Sequence, residues 1–345
     1  MINKKIGIIG GGQLGMFICE AAKKKKIKTI IYSDTHDFSA KRVCDDFIVA
    51  SYDDKEKINE FVCNADFFTV ESENIPIDFL KTIEMKKKVF PSSRIIEIAQ
   101  NRLKEKKFLN SLDDIETVKF FEINDFDQLS KYASNLNYKC ILKTQEFGYD
   151  GKGQFEIKKN NLDNFKNEDL TKYILEEKIN FDLEISVIIA RSSSNFFSYP
   201  PVENVHKNSI LRRTIFPARI NKETKIKSLK KAEIIAKELD FHGVLAIEMF
   251  ILNEKILINE IAPRPHNSGH WTMDASGCSQ FENLVSIITN GNSTNPEPFK
   301  SCEMINIIGD EYLDIKNIRQ NHKVYDYSKP EVRPLRKMGH YIAFD

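Results

Sequence analysis

Glu248 and Glu260 are the first residues whose types and spacing point to chemistry. Each sits in an apolar run, Val244–Leu252 and Ile256–Ile261, and the runs are joined by Asn253-Glu254-Lys255. This reads as a β-hairpin. A three-residue loop would set Glu248 directly opposite Glu260 on one face; a two-residue loop would pair Glu248 with Asn259 instead. Facing carboxylates repel unless a cation lies between them. Magnesium is the natural candidate, with manganese able to replace it, because a hard divalent ion takes carboxylate and phosphate oxygens together. Arg264-Pro265-His266-Asn267-Ser268-Gly269-His270-Trp271 follows the second strand. Such a concentration of polar groups in a non-periodic segment faces a ligand or forms a hydrogen-bonded loop. No further histidine or cysteine stands at zinc-like spacing.

Two glycine-rich segments could hold phosphate. Lys143 ends a predicted strand and precedes Phe147-Gly148-Tyr149-Asp150-Gly151-Lys152-Gly153-Gln154. A plain hairpin turn explains Asp150-Gly151. It does not explain Gly148, Gly153 or the lysine before them, which suit a flap laid over a polyphosphate. Gly10-x-Gly12-x-x-Gly15 follows the strand Ile6–Ile9 and opens a helix, with Asp34 closing the next strand. That is the spacing of a dinucleotide-binding loop, and also of a tight strand–helix turn without ligand. Glu71-Ser72-Glu73-Asn74 ends the strand Asp66–Val70, where α/β sheets bind ligands. Lys329 to Lys337 is basic and stiffened by Pro330 and Pro334. It reads as a contact for one phosphorylated ligand or, taken alone, as a solvated tail.

The elements that must position these residues follow from periodicity. Over the first hundred residues short apolar runs alternate with helical patterns, which implies a parallel sheet covered by helices. Residues 95–112 read as one charge-rich helix. Strands at 138–143 and 155–157 mark a smaller unit. Longer strands follow at 174–176, 184–190 and 196–199, then an amphipathic helix over 224–240 and the acidic hairpin. With 345 residues, 51 Lys+Arg against 50 Asp+Glu and a net charge of +1, a general nucleic-acid binder is excluded. No apolar run reaches about 18 residues, so no membrane span is expected. The six cysteines form no C-x-x-C pair, which fits a reducing cytoplasm.

The segments GGGQLG, ESEN, LKTQEFGYDGKGQ, EEKINFDLEIS, ENVHKNSILRRTIFPARI, INEIAPRPHNSGHW and EVRPLRKMGH occur in one order. Together they closely resemble the N5-carboxyaminoimidazole ribonucleotide synthetases, ATP-grasp ligases of purine biosynthesis. The resemblance runs almost the full length and rests most on GYDGKGQ and RPHNSGHW. It implies an α/β (overall α+β) ATP-grasp architecture with a Rossmann-like domain over 1–104, a central lid over 105–173 and a C-terminal domain over 174–345. It further implies a cytoplasmic homodimer that uses ATP, bicarbonate and 5-aminoimidazole ribonucleotide through carboxyphosphate.

By motif position the resemblance assigns ATP to Arg102, Lys143, the loop Gly148, Tyr149, Asp150, Gly151, Lys152, Gly153 and Gln154, and to Glu176, Glu177, Lys178, Ile179, Glu184, His206, Asn259 and Glu260. Glu248 and Glu260 would hold magnesium. The ribonucleotide would meet Gln13, Leu14, Glu73, Asn267, Ser268, Lys329, Arg336 and Lys337. Tyr149, Lys152, Arg264, His266 and His270 would form the catalytic group. Met16, Gln145-Glu146 and Glu177 depart from the family's usual residues. The competing readings are a formate-dependent glycinamide ribonucleotide transformylase, which would share the lid and the acids, and an NAD-dependent dehydrogenase built on Gly10–Gly15.

Overall fold

The computed structural model describes residues 4–148 and 152–344. Three sheets build it. The first has five parallel strands in the spatial order Asp46–Val49, Lys28–Ser33, Lys5–Ile9, Phe67–Val70 and Val89–Phe90. Its central strands, KIGII and KTIIYS, are nearly continuous apolar runs because helices cover both faces. The helix Gln13–Lys24 follows the first strand and packs Phe17 against Phe281 of the helix Gln280–Asn290, ring centroids 5.2 Å apart. That second helix is well punctuated: Ser279 and Glu282 form a reciprocal cap, and Gly291 ends it in the left-handed conformation.

The second sheet has four antiparallel strands, ordered Phe120–Glu122, Tyr173–Glu177, Cys140–Thr144 and Gln154–Ile157. The expected boundary at 173 falls at the start of one of its strands, so this unit continues through Glu177. The expected boundary at 104 likewise falls inside the helix Arg102–Leu109. The third sheet has nine strands, with the acidic hairpin Gly243–Leu252 and Lys255–Ala262 at one edge.

One expectation is corrected. The single helix over 95–112 is two, Ser93–Ala99 and Arg102–Leu109. Asn101 breaks the pattern: its side chain accepts the Lys104 N–H at 3.0 Å and starts a new helix. The basic segment Lys329–Lys337 is largely exposed up to Lys337, where a strand begins: Lys337–Phe344 pairs with Cys302–Ile308 and buries Met338, Gly339 and His340.

Candidate active site

A cleft of about 650 Å³ is lined by strands of the second and third sheets and, beside the first sheet, by Gln13 and Leu14 of the first helix and by Glu71 to Asn74 after the strand Phe67–Val70. The hairpin supplies its floor. The turn is two residues, Asn253 and Glu254, both at positive φ, and Leu252 pairs with Lys255. A regular ladder from that turn would face Glu248 with Asn259. A β-bulge between Glu248 and Met249 shifts the register, and Glu248 faces Glu260. The extra residue is Asn259, and both Asn259 and Glu260 line the cleft. A regular strand sends consecutive side chains to opposite faces, so the bulge is what brings this adjacent amide and carboxylate to one surface.

Burial and the neighbouring Glu260 and Glu184 push the Glu248 carboxyl well above its usual range. Crowded acids of this kind fit a divalent cation. Among the described residues no group of three His, Cys, Asp or Glu is arranged to hold a metal. A two-carboxylate site suits magnesium, which takes most of its ligands from water and phosphate.

His266 supports Glu248 rather than standing free. Its Nδ1 accepts the Ser268 N–H at 3.3 Å and lies 2.8 Å from Ser268 Oγ. That leaves the ring proton on Nε2, which faces Glu248 Oε1 at 3.2 Å. Burial, Arg264 and Lys337 hold the imidazole well below its usual pKa. Asn267 exchanges hydrogen bonds with Asn306, at 3.1 and 2.5 Å, which ties the loop to the strand Cys302–Ile308.

Arg264 grips Glu73, with Nη2 to Oε1 at 2.9 Å and a second contact from Nε to Oε2. Burial would raise the Glu73 carboxyl, but the guanidinium holds it below the usual carboxylate range. On the lid side Lys143 Nζ donates to Glu176 Oε2 at 2.7 Å. Burial acts against ionised Glu176, yet Lys106 and Lys143 pull it down to about 2. Arg102 donates to the carbonyls of Thr144 at 2.8 Å and Gly148 at 3.2 Å, at the base of the glycine flap. His206 Nδ1 lies 3.0 Å from Glu184 Oε2.

Of the residues expected in the site, the cleft is lined by Gln13, Leu14, Glu73, Arg102, Lys143, Gly148, Gln154, Glu176, Glu177, Lys178, Ile179, Glu184, His206, Glu248, Asn259, Glu260, Arg264, His266, Asn267 and Lys337. Tyr149, Asp150 and Gly151 lie outside the described residues. Lys152, Gly153, Ser268, Lys329 and Arg336 do not line it. Ser268 is fully buried, 2.7 Å from Ser186 Oγ, and Arg336 Nη1 donates to the Glu331 carbonyl at 3.0 Å.

His270 is not brought to the cleft either. It is fully buried, its ring 4.7 Å from His340 and 5.3 Å from Phe17. It reaches the site through Gln280, whose Nε2 lies 3.2 Å from His270 Nδ1 and donates to the His266 carbonyl at 2.7 Å. His270 ends the short 3-10 turn Asn267–Gly269 with its ring packed inward, where residue type alone gave a ligand-facing group.

The first glycine loop holds an anion, but the anion is the protein's own. Glu71 accepts the Gly12 N–H at 2.5 Å and the Gly15 N–H at 2.9 Å. A pyrophosphate would need those same donors, so the NAD-dependent dehydrogenase reading is overturned. Sequence reasoning also passed over Glu105 and Lys106, which sit beneath the hairpin on the helix Arg102–Leu109. Burial and then Glu260 push Glu105 up to about 8.

Family models match the chain in three stretches: a ribonucleotide synthetase preATP-grasp domain over residues 3–100, an ATP-grasp domain over 108–281, and a phosphoribosylaminoimidazole carboxylase C-terminal domain over 302–345. The N5-carboxyaminoimidazole ribonucleotide synthase of Staphylococcus aureus strain COL is 35% identical over 343 residues, spanning 97% of this chain and 91% of its own length. A crystal structure of an ADP complex of N5-carboxyaminoimidazole ribonucleotide synthetase matches with a TM-score of 0.94 at 35% identity, covering 99% of this chain and 93% of that one. The Aspergillus clavatus synthase, crystallised with ADP and 5-aminoimidazole ribonucleotide, matches with a TM-score of 0.91 at 27% identity, covering 100% and 95%.

Proposed function

The chain belongs to the N5-carboxyaminoimidazole ribonucleotide synthase family of ATP-grasp ligases, and from that membership we propose that it carboxylates the amine of 5-aminoimidazole ribonucleotide with ATP and bicarbonate. The observation that carries this reading is the hairpin: Glu248, Asn259 and Glu260 share one cleft with Lys143 and the base of the glycine flap. A phosphoryl-transfer site needs that combination of acids, cation and flap.

ATP lies between lid and large sheet in this reading, with Lys143, Arg102 and the flap toward its phosphates and Glu176 to Ile179 beside the base. Glu248 and Glu260 hold magnesium, which when bound offsets charge on the phosphate oxygens. Bicarbonate oxygen attacks the γ-phosphorus, ADP leaves, and carboxyphosphate forms. The substrate amine then takes the carboxyl carbon, directly or as CO₂, and phosphate is released. Lys143 and the flap N–H groups stabilise the charge spreading over the transferred group. Closure of the flap keeps water from the mixed anhydride.

Gln13, Leu14, Glu73, Asn267 and Lys337 bind the ribonucleotide, with Arg264 orienting Glu73. The amine proton passes to the released phosphate, since Arg264 keeps Glu73 in its carboxylate form. His266 keeps Glu248 aligned through its Nε2 proton, and His270 acts behind it through Gln280. Lid and sheet meet in a three-domain arrangement close to 1–104, 105–177 and 178–345. A homodimer in the cytoplasm is the setting the family suggests; among the described residues no helix is long and apolar enough to cross a membrane.

The test is ADP release with magnesium ATP and bicarbonate, with and without 5-aminoimidazole ribonucleotide. Strong stimulation that needs both the ribonucleotide and bicarbonate is expected. Turnover indifferent to the ribonucleotide would move the proposal to another acceptor within the ATP-grasp ligases.

A further inference from the structure

The acidic hairpin is an edge, and an edge strand leaves one row of backbone groups without ladder partners. A bulge adds to the problem, because it disrupts the ladder on the paired side as well. In Lys255–Ala262 three of these groups are satisfied from outside the sheet. Ile258 N–H donates to the Glu116 carbonyl at 2.7 Å. The Asn259 carbonyl accepts from Lys106 Nζ at 2.8 Å. Ile261 N–H donates to Glu105 Oε1 at 2.7 Å. The last two bracket Glu260, and the side-chain donor Lys106 and side-chain acceptor Glu105 are adjacent residues of one helix.

Lys106 and Glu105 are almost fully buried, at 1% and 2% exposure. Burying an ammonium and a carboxylate is costly unless each is well paired. A water-exposed pair would serve as well if the only need were to cap an edge. Lys106 has a second partner across the cleft, Glu176 Oε1 at 3.7 Å. The first turn of the same helix carries Arg102, which holds the Thr144 and Gly148 carbonyls of the lid. One short helix thus touches the bulge, the acid beside the base site and the root of the flap.

We propose that Lys106 and Glu105 are positioning residues for the divalent-cation site: they fix the bulge so that Glu260 and Asn259 both face the cleft opposite Glu248. Lys106 does not line the cleft, and Glu105 reaches its wall while almost fully buried. They act by holding backbone atoms on either side of Glu260. The inference rests on the metal role proposed for Glu248 and Glu260.

The test measures cation binding rather than turnover. Mn²⁺ is titrated into the full chain with a non-hydrolysable ATP analogue and followed by electron paramagnetic resonance. Wild type should bind, and Glu260→Gln should not. Wild-type binding that survives Glu260→Gln would overturn the metal site itself, and this proposal with it. Given the expected wild-type behaviour, Lys106→Met should weaken Mn²⁺ about tenfold or more. Unchanged Mn²⁺ affinity in a folded Lys106→Met would overturn the proposal while leaving the metal site standing.

Should Lys106→Met fail to fold, two changes at Glu105 decide. Glu105→Gln keeps an oxygen for the Ile261 N–H and should bind Mn²⁺ close to wild type. Glu105→Leu lacks the acceptor and should weaken it about tenfold. Equal affinity in the two variants would overturn the proposal. A merely structural role would lower the melting temperature of both without separating their metal affinities.

Discussion

Glu71 lies across the Gly12 N–H at 2.5 Å, in the place a phosphate oxygen takes when a loop of this spacing binds a dinucleotide. Gly15 supplies a second donor, and burial raises the carboxyl despite both. Replacing Glu71 with Ala should leave two N–H groups without their acceptor and destabilise the chain by about 2 kcal/mol in urea unfolding. Sulfate should then raise the melting temperature of the variant far more than that of wild type, by filling the emptied loop. An equal response to sulfate in both would mean the loop does not depend on Glu71.

Arg264 and Glu73 form a fork rather than a point contact. Arg264→Lys keeps the charge and loses the second bond. Ribonucleotide-stimulated ADP release should fall about tenfold or more, while affinity for ADP stays within about twofold, if Arg264 serves the ribonucleotide as proposed. Loss of ADP affinity to the same extent would place Arg264 on the nucleotide side instead.

Gly148 packs against the guanidinium of Arg102, and a methyl group there would run into it. Gly148→Ala should drive Arg102 from the Thr144 and Gly148 carbonyls and displace the root of the flap. A drop of about 10- to 100-fold in kcat/KM for ATP is expected, with thermal stability little changed. Normal ATP kinetics would show that the flap does not need Arg102.

The buried pair His270 and His340 makes a pH prediction. Burial, with Lys337 and Arg264, holds His270 down at about 3; burial and His270 hold His340 well below its usual value. Unfolded histidines take a proton near pH 6.5, so below that pH the unfolded chain binds more protons than the folded one. Stability is therefore full above about pH 6.5 and is lost as pH falls toward about 3. At pH 5 His270 should account for about 2 kcal/mol, and His340 should add to the loss in the same direction. Urea unfolding at pH 7.5 and pH 5 measures the loss, and His340→Gln should remove its share. A loss untouched by that change would assign the acid sensitivity to other groups.

Much of this was legible in the sequence because it is local. The apolar runs Val244–Leu252 and Ile256–Ile261 on either side of Asn253-Glu254-Lys255 gave the hairpin, and the apolar runs near the N-terminus gave a parallel sheet. The bulge was not legible: one extra residue and one fewer in the turn leave the same letters. The Glu71 contact escaped because the partners stand 59 and 56 positions away, and spacing rules describe a ligand, not a distant carboxylate. Lys106 and Glu105 sit in a helix so rich in charge that it reads as a solvated face, and it is tertiary contact that buries them. His270 misled for the opposite reason. Its company of polar residues suggested the site, while its ring packs with Phe17 and His340 from far along the chain.

The displaced Asn259 has a consequence for anyone who would move this site to another scaffold. A strand is a strict two-beat rhythm, and here one beat is skipped so that two neighbouring letters sound on the same side. Copying Glu248 and Glu260 onto a regular hairpin would reproduce the pair and lose the amide between chain and cleft. The portable unit is larger: the hairpin with its skipped beat, together with the two helix residues that keep the rhythm from correcting itself.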